Sequence, residues 1–132
     1  MATDPAVLRK QVQRLLARQQ ELVRGLLAQR ELVQGSLFTR YGTCGKEGCA
    51  CREGKGHGPY FVLSARGKSG SGFLYLSKEQ AQEARRLVAA ARAYRSGVAR
   101  LKALNDELVD LMKRYQRALA KTGGRKLGMA AA

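Results

Sequence analysis

Apolar positions recur at spacings of four and three along the start of the chain: Leu8, Val12, Leu15, Gln19, Leu22, Leu26, Gln29 and Val33, with glutamine twice in the seam. This is the heptad pattern of a helix with one apolar stripe. Asp4 is placed to cap the first free amides and Pro5 suits the first helical turn. Gly35 is a natural stop, so the pattern predicts a helix through residue 34. A second stripe opens behind Ser77, which has Gln80 three residues later in a capping-box arrangement. It runs through Leu87, Ala91, Tyr94, Val98, Leu101, Asn105, Leu108, Met112, Tyr115 and Leu119. Asn105 alone is fully polar there. It reads either as a residue that fixes register or oligomer state, or as an exposed position.

Residues 35–76 interrupt the helical period. Tyr60-Phe61-Val62-Leu63 and Phe73-Leu74-Tyr75-Leu76 are short runs of β-forming residues, separated by the glycine- and serine-rich stretch Gly67 to Gly72. They predict a β-hairpin with a long loop. A segment this short cannot hold a substantial core, and small modules usually rely on a metal or on disulfides. Tyr41, Tyr60, Phe61 and Tyr75 could stack on bases, but filling that small core is the favoured role. At a rise of about 1.5 Å per residue the flanking helices would span about 45 Å and about 65 Å. Neither can bury its stripe alone.

The expected fold is therefore α+β: two long helices paired as an antiparallel coiled-coil hairpin, with a zinc-stapled β-hairpin module inserted between them. The segments are 1–34 for the first coiled-coil helix, 35–76 for the module, 77–120 for the second helix and 121–132 for a frayed basic tail. Surplus length on the second helix is free to meet a second copy or a partner protein.

Charge narrows the function. The 132 residues include 25 Lys and Arg against 10 Asp and Glu, a formal net charge of +15. Basic residues outnumber acidic ones in every segment. An enzyme for a cationic substrate is disfavoured, and a polyanionic partner is favoured. The longest apolar run, Leu87 to Ala91, is far short of the roughly 20 residues that span a membrane. The opening MATDPAVLRK does not read as a secretory signal, so a cytoplasmic setting is expected, with nucleoid association as one form of it. All three cysteines lie between Cys44 and Cys51. Their clustering and odd number suggest metal before disulfide.

The sharpest chemical signal is CGKEGCACREGKGH. Cys44, Cys49, Cys51 and His57 follow the spacing C-x4-C-x-C-x5-H. Three thiolates and an imidazole make a closed four-ligand set for Zn2+, which is structural rather than catalytic. Glycines around them permit the tight turns that close-spaced ligands need. The competing reading is three reduced thiols and a surface histidine, with His57 the least secure ligand. A catalytic thiol would need one activated cysteine with an orienting group. Three clustered thiols suit that poorly, so no enzyme activity is expected. Gly67-Lys68-Ser69 superficially matches the end of a P-loop, but Val62 stands where the first glycine is required. Basic residues crowd the same region: Arg40, Lys46, Arg52, Lys55, Arg66 and Lys68. Arg85, Arg86, Arg92 and Arg95 follow on the second helix, with Glu83 the nearby acid. This is a surface suited to nucleic-acid phosphates.

The residues Gly35-Ser36-Leu37, Arg40-Tyr41, CGKEGCAC, GHGPYFVLS and YLSKEQ together resemble a family of small bacterial and archaeal proteins with a cysteine-containing domain of unknown function. Its members read G-S-L, C-G-K-x-x-C-x-C, H-G-P-Y-Y and then Y-V-P-K-E before a helix. The resemblance spans about residues 35–95, leaving the first helix outside. It implies a metal-site role for Cys44, Cys49, Cys51 and His57. It also implies a setting among mobile-element genes, in keeping with DNA binding. Leu76-Ser77 replaces the usual Val-Pro, which still opens a helix. The function expected is nucleic-acid binding, DNA before RNA, in an accessory or regulatory role. The helices would form a homodimer or recruit a coiled-coil partner protein; the alternative is a coiled-coil protein-interaction adaptor that touches nucleic acid only nonspecifically.

Overall fold

The computed structural model describes residues 4–43, 45–50, 53–54, 56–67 and 70–129. Five elements follow one another: α1 (Pro5–Leu27), β1 (Gly35–Gly42), β2 (His57–Gly67), β3 (Gly70–Leu76) and α2 (Lys78–Lys126). They form two compact units. A helical unit takes Met1–Ala28 and Arg95–Ala132, and a sheet unit takes Gln29–Tyr94. The architecture is α+β, with two helices and one three-stranded antiparallel sheet. No described helix is long and apolar enough to cross a membrane.

Both helix starts follow from their capping residues. The Asp4 side chain accepts from the Ala6 amide at 2.9 Å, with Pro5 in the first turn. At α2 the Gln80 amide donates to Ser77 Oγ at 3.1 Å and the Ser77 amide donates to Gln80 Oε1 at 2.9 Å. Each side chain thus satisfies a donor the helix itself cannot.

Both helix ends differ from expectation. α1 stops at Leu27, short of Val33. The reason is tertiary: the Val33 amide donates to the Leu87 carbonyl at 3.1 Å, and Glu31 pairs with Arg86. These partners in the sheet unit outweigh helical propensity over residues 29–34. α2 continues through Lys121–Lys126, where a frayed tail is expected. It ends on Gly128, whose φ is +72°. The Met129 amide donates to the Gly124 carbonyl at 2.8 Å and the Gly128 amide donates to the Arg125 carbonyl at 3.1 Å. This paired closure is a Schellman cap, and it needs glycine at the left-handed position. Arg125 and Lys126 also complement the negative end of the helix dipole.

In the helical unit Leu8, Leu15, Leu111 and Ala118 form a buried cluster, with Val12, Leu104, Leu108 and Tyr115 packed on it. The buried stripe of α2 is therefore Leu104, Leu108, Leu111, Tyr115 and Ala118. The expected stripe shares Leu108 and Tyr115 with it. Asn105, Met112 and Leu119 stand one position off and are exposed. Arg9 near the start of α1 donates to Tyr115 Oη at 2.7 Å, and Leu26 near its end lies against Gly97. The contacts thus run in opposite senses along the two helices. A Cβ at Gly97 would come within 2.6 Å of Leu26 Cδ2, so the backbones approach closely there.

In the sheet unit the strand order is β1-β2-β3, both neighbours antiparallel. The hairpin expected from Tyr60–Leu63 and Phe73–Leu76 is β2–β3, with Val62 opposite Tyr75 and Ser64 opposite Phe73. β1 adds a strand that periodicity did not suggest, with Phe38 opposite Val62 and Arg40 opposite Tyr60. Directly opposed residues share a face, so Phe38, Arg40, Tyr60, Val62, Phe73 and Tyr75 occupy one side. Leu37, Phe61 and Leu63 occupy the other. That second side meets α2 in its own unit: Arg85 lies 6.0 Å from the Phe61 ring centroid, and Leu37 shares a cleft with Val88. α2 turns the small residues Ala81, Ala84, Val88 and Ala91 inward here.

Leu8 is 1% exposed in a packed cluster and Leu27 is 73% exposed. Leu8→Ala is expected to lower unfolding stability by about 2–5 kcal/mol. Leu27→Ala should stay within about 0.5 kcal/mol of the parent. Urea titration followed by circular dichroism would compare the two.

Candidate functional site

The connection between β1 and β2 carries the cysteine cluster. Two turns shape its described part. The Cys49 amide donates to the Lys46 carbonyl at 3.4 Å, and the Glu53 amide donates to the Ala50 carbonyl at 3.1 Å. His57 opens β2 and pairs with Gly42 at the end of β1, where the ladder shifts register after Arg40. This brings Cys49 Sγ to 3.3 Å from His57 Nε2. Cys49 is half-buried.

Gly56 and Gly58 make this approach possible. Their φ angles are +88° and +140°, where side chains are disfavoured. A Cβ at Gly56 would lie 2.7 Å from the Gly42 carbonyl oxygen, and one at Gly58 would lie 2.8 Å from that of Arg40. The returning chain thus crosses directly against the end of β1, with His57 held between two glycines.

Of the four expected metal ligands, Cys49 and His57 are brought together, while Cys44 and Cys51 lie outside the described residues. Among the described residues no group of three or more His, Cys, Asp or Glu is gathered that could hold a metal. Two donors of the expected set are therefore placed and two are not described. Tetrahedral zinc, with bonds of about 2.3 Å to sulfur and about 2.0 Å to nitrogen, sets two such donors about 3.5 Å apart. The separation of Cys49 and His57 fits that geometry.

The basic residues divide by partner. Arg52, Lys55 and Lys68 lie outside the described residues. Arg66 stands on β2 opposite Ser71. Lys46 is exposed in the turn before Cys49. Arg40 donates to Tyr75 Oη at 3.0 Å. Arg86 is held by Glu31 at 2.7 Å and by Glu83, so its guanidinium ties residue 31 to α2. Arg85 and Arg92 instead flank a cleft of about 300 Å³ whose remaining lining is Leu37, Val88 and Ala89. Among the described residues no carboxylate lines it. Arg95 belongs to the helical unit and is exposed.

Periodicity and composition missed the aromatic side of the sheet. Phe38 and Phe73 meet edge to face with centroids 6.2 Å apart, and Tyr60 and Tyr75 do so at 6.3 Å. Tyr60 and Tyr75, expected to fill a core, are exposed instead. Strand alternation through the β2–β3 register is the signal that puts Tyr60, Phe73 and Tyr75 on one side, and β1 adds Phe38 to it.

Two predictions follow from this geometry. Gly56→Ala and Gly58→Ala should each loosen the β1–β2 crossing and speed amide exchange from 35 to 65, at a cost of more than about 1 kcal/mol. Gly54→Ala, which meets nothing within 4 Å, should leave exchange unchanged. The second concerns acid. The hydrogen bond and charge of Arg86 hold the Glu83 carboxyl below its ordinary 4.5. A depressed folded-state value adds stability above the unfolded value and loses it as pH falls through the folded one. Protection of the first turns of α2, where Glu83 and Arg86 pair, should therefore weaken below about pH 4.5. Because the pair is exposed, the effect should be small and weaker in high salt. Arg86→Gln should remove this pH dependence, as read by exchange at two pH values.

A family model described as a domain of unknown function (DUF6788) matches residues 6–86. The match takes in α1, the whole sheet and the start of α2. It thus begins well before residue 35 and ends before residue 95, so the first helix lies inside the family region. No curated protein and no solved structure matches the chain.

Proposed function

The chain belongs to the DUF6788 family, and from its residues we propose that it is an accessory or regulatory nucleic-acid-binding protein with a structural zinc module and a basic helix. The observation that carries this reading is the Arg85–Arg92 cleft, which the two arginines line together with Leu37, Val88 and Ala89 and which has no carboxylate among the described residues of its lining. A phosphate there would be met by two permanently charged guanidiniums. Arg86, engaged by Glu31 and Glu83, serves instead to hold residues 29–34 against α2. The net charge of +15 supports the same partner class.

In this reading Cys44, Cys49, Cys51 and His57 hold zinc. The ion supplies folding energy that the small sheet lacks. The 3.3 Å approach of Cys49 to His57 supports it, since two ligands of one tetrahedral ion stand at about that separation. α1 and the distal part of α2 form an antiparallel coiled-coil hairpin, supported by the alternating three- and four-residue spacing of Leu104, Leu108, Leu111, Tyr115 and Ala118.

A second reading is favoured by one observation. Val98, Met112 and Leu119 are exposed at multiples of seven residues, with Asn105 in the same series. Such a strip suits a further helix, and then the chain acts as a coiled-coil adaptor with nonspecific nucleic-acid affinity.

Binding to duplex DNA across a salt series separates the two. A phosphate binder loses affinity linearly in log–log terms, by about 0.9 per phosphate contact. Arg85→Gln and Arg92→Gln should each flatten that slope by about one contact. An affinity that stays weak at low salt, with a flat slope, would favour the adaptor. For the metal, elemental analysis of purified protein should find one zinc per chain, reduced in Cys49→Ser and His57→Ala. Chelation should unfold the sheet unit while helical signal persists. Metal-free protein with unchanged exchange protection over 35–76 would refute the zinc module.

A further inference from the structure

We propose that the aromatic side of the sheet is a stacking platform for the unpaired bases of single-stranded nucleic acid. Four rings from three strands lie on it. Phe38 is 41% exposed, Tyr60 45%, Phe73 71% and Tyr75 56%. Their strand register puts them on the same side as Val62, which is 1% exposed beneath them. The rings are therefore not stray surface residues. They are anchored around a buried side chain and held in two edge-to-face pairs, with interplanar angles of 89° and 87°. An edge-on pair uses the face of one ring and only the edge of the other, so flat aromatic surface remains for a ligand.

Chemistry identifies the occupant. β1, β2 and β3 contain no Asp or Glu. Arg40 stands among the rings, with its guanidinium fixed to Tyr75 Oη at 3.0 Å. A flat, uncharged aromatic surface with a fixed cation and no anion suits a ligand that combines π-faces with negative charge. A second copy of this chain would bring the same sign of charge. A duplex offers only base edges, because its base faces are already stacked. An unpaired strand offers both faces and phosphates, and sheet-borne aromatics are a general means of binding one. The inference rests on the nucleic-acid reading above and adds the form of strand and the surface that meets it.

The test uses the full chain with its metal, and dye-labelled oligo(dT), oligo(rU) and a duplex of equal length at one fixed salt concentration. Fluorescence anisotropy should show tighter binding to a single strand than to the duplex. Binding to either homopolymer that is tighter than binding to the duplex supports the platform. Phe73→Ala and Tyr75→Ala should each weaken single-strand binding by about tenfold and leave duplex binding unchanged. Phe73→Leu keeps apolar bulk but loses the flat ring, and should weaken binding as Phe73→Ala does. Tyr75→Phe keeps the ring but releases Arg40, and should bind more tightly than Tyr75→Ala. Melting followed by circular dichroism establishes that each variant is folded.

If the parent binds single strand and duplex equally and the ring variants change neither, the platform is refuted while nucleic-acid binding stands. If none of the three ligands binds at low salt, the nucleic-acid reading fails and the platform with it. A chain that self-associates through these rings, so that Phe73→Ala yields monomer with unchanged oligonucleotide affinity, would also overturn the proposal.

Discussion

Val62 is the point on which the sheet depends. Three short strands cannot enclose much, and among the described residues Val62 alone in the sheet is removed from water. Its cross-strand neighbours are Phe38 on one side and Tyr75 on the other. Large rings are the economical cover for such a site, since each shields apolar area while standing at the edge of solvent. The opposite side of the sheet is met by the alanine-rich stretch of α2, where small residues permit a close approach. The unit is thus asymmetric: one side closed by a helix, the other by its own rings.

That asymmetry explains which parts of the chain could be read in advance. The helix starts were legible because a cap is a local device: Asp4 with Pro5 and Ser77 with Gln80 carry their own hydrogen-bond partners. The β2–β3 hairpin was legible because its two apolar runs are dense in β-formers. β1 was not, because Leu37 and Phe38 are both apolar and break the alternation that marks a half-buried strand. Without β1, Tyr60 and Tyr75 look like core. With it, Phe38 and Arg40 join them on a side whose rings stay exposed. The end of α1 was illegible for a different reason. Val33 and Glu31 are diverted by Leu87 and Arg86, residues more than fifty positions away, and no local pattern carries such a partner. In α2 two stripes share Leu108 and Tyr115, and the alternates at 104 or 105 and 111 or 112 differ by one residue. Periodicity alone does not choose between them, because a 3.5 and a 3.6 repeat diverge by only about 20° per heptad.

Net charge was equally legible, but its division was not. Composition counts Arg40, Arg85, Arg86 and Arg92 alike. The structure gives each a different environment: a tyrosine hydroxyl for Arg40, an aromatic ring for Arg85, two carboxylates for Arg86 and an open cleft for Arg92. A guanidinium already paired with two carboxylates gains less from a phosphate than one facing an apolar floor. Counting charges therefore overstates what such a surface offers a phosphate.

The cysteine loop and the aromatic face are joined by a single strand. β2 begins at His57, beside Cys49, and within six residues has carried Tyr60 and Val62. Gly56 and Gly58 force the chain against the end of β1 as it enters that strand. Whatever fixes His57 therefore also fixes the register with which Tyr60 meets Arg40 and Val62 meets Phe38. A strand that slips by one residue turns its whole apolar set to the other side. In so small a sheet, the hydrophobic pattern alone specifies register weakly. A constraint at the entrance to β2 acts where it has the most effect, so the contact between Cys49 and His57 bears on the shape of the face without touching it.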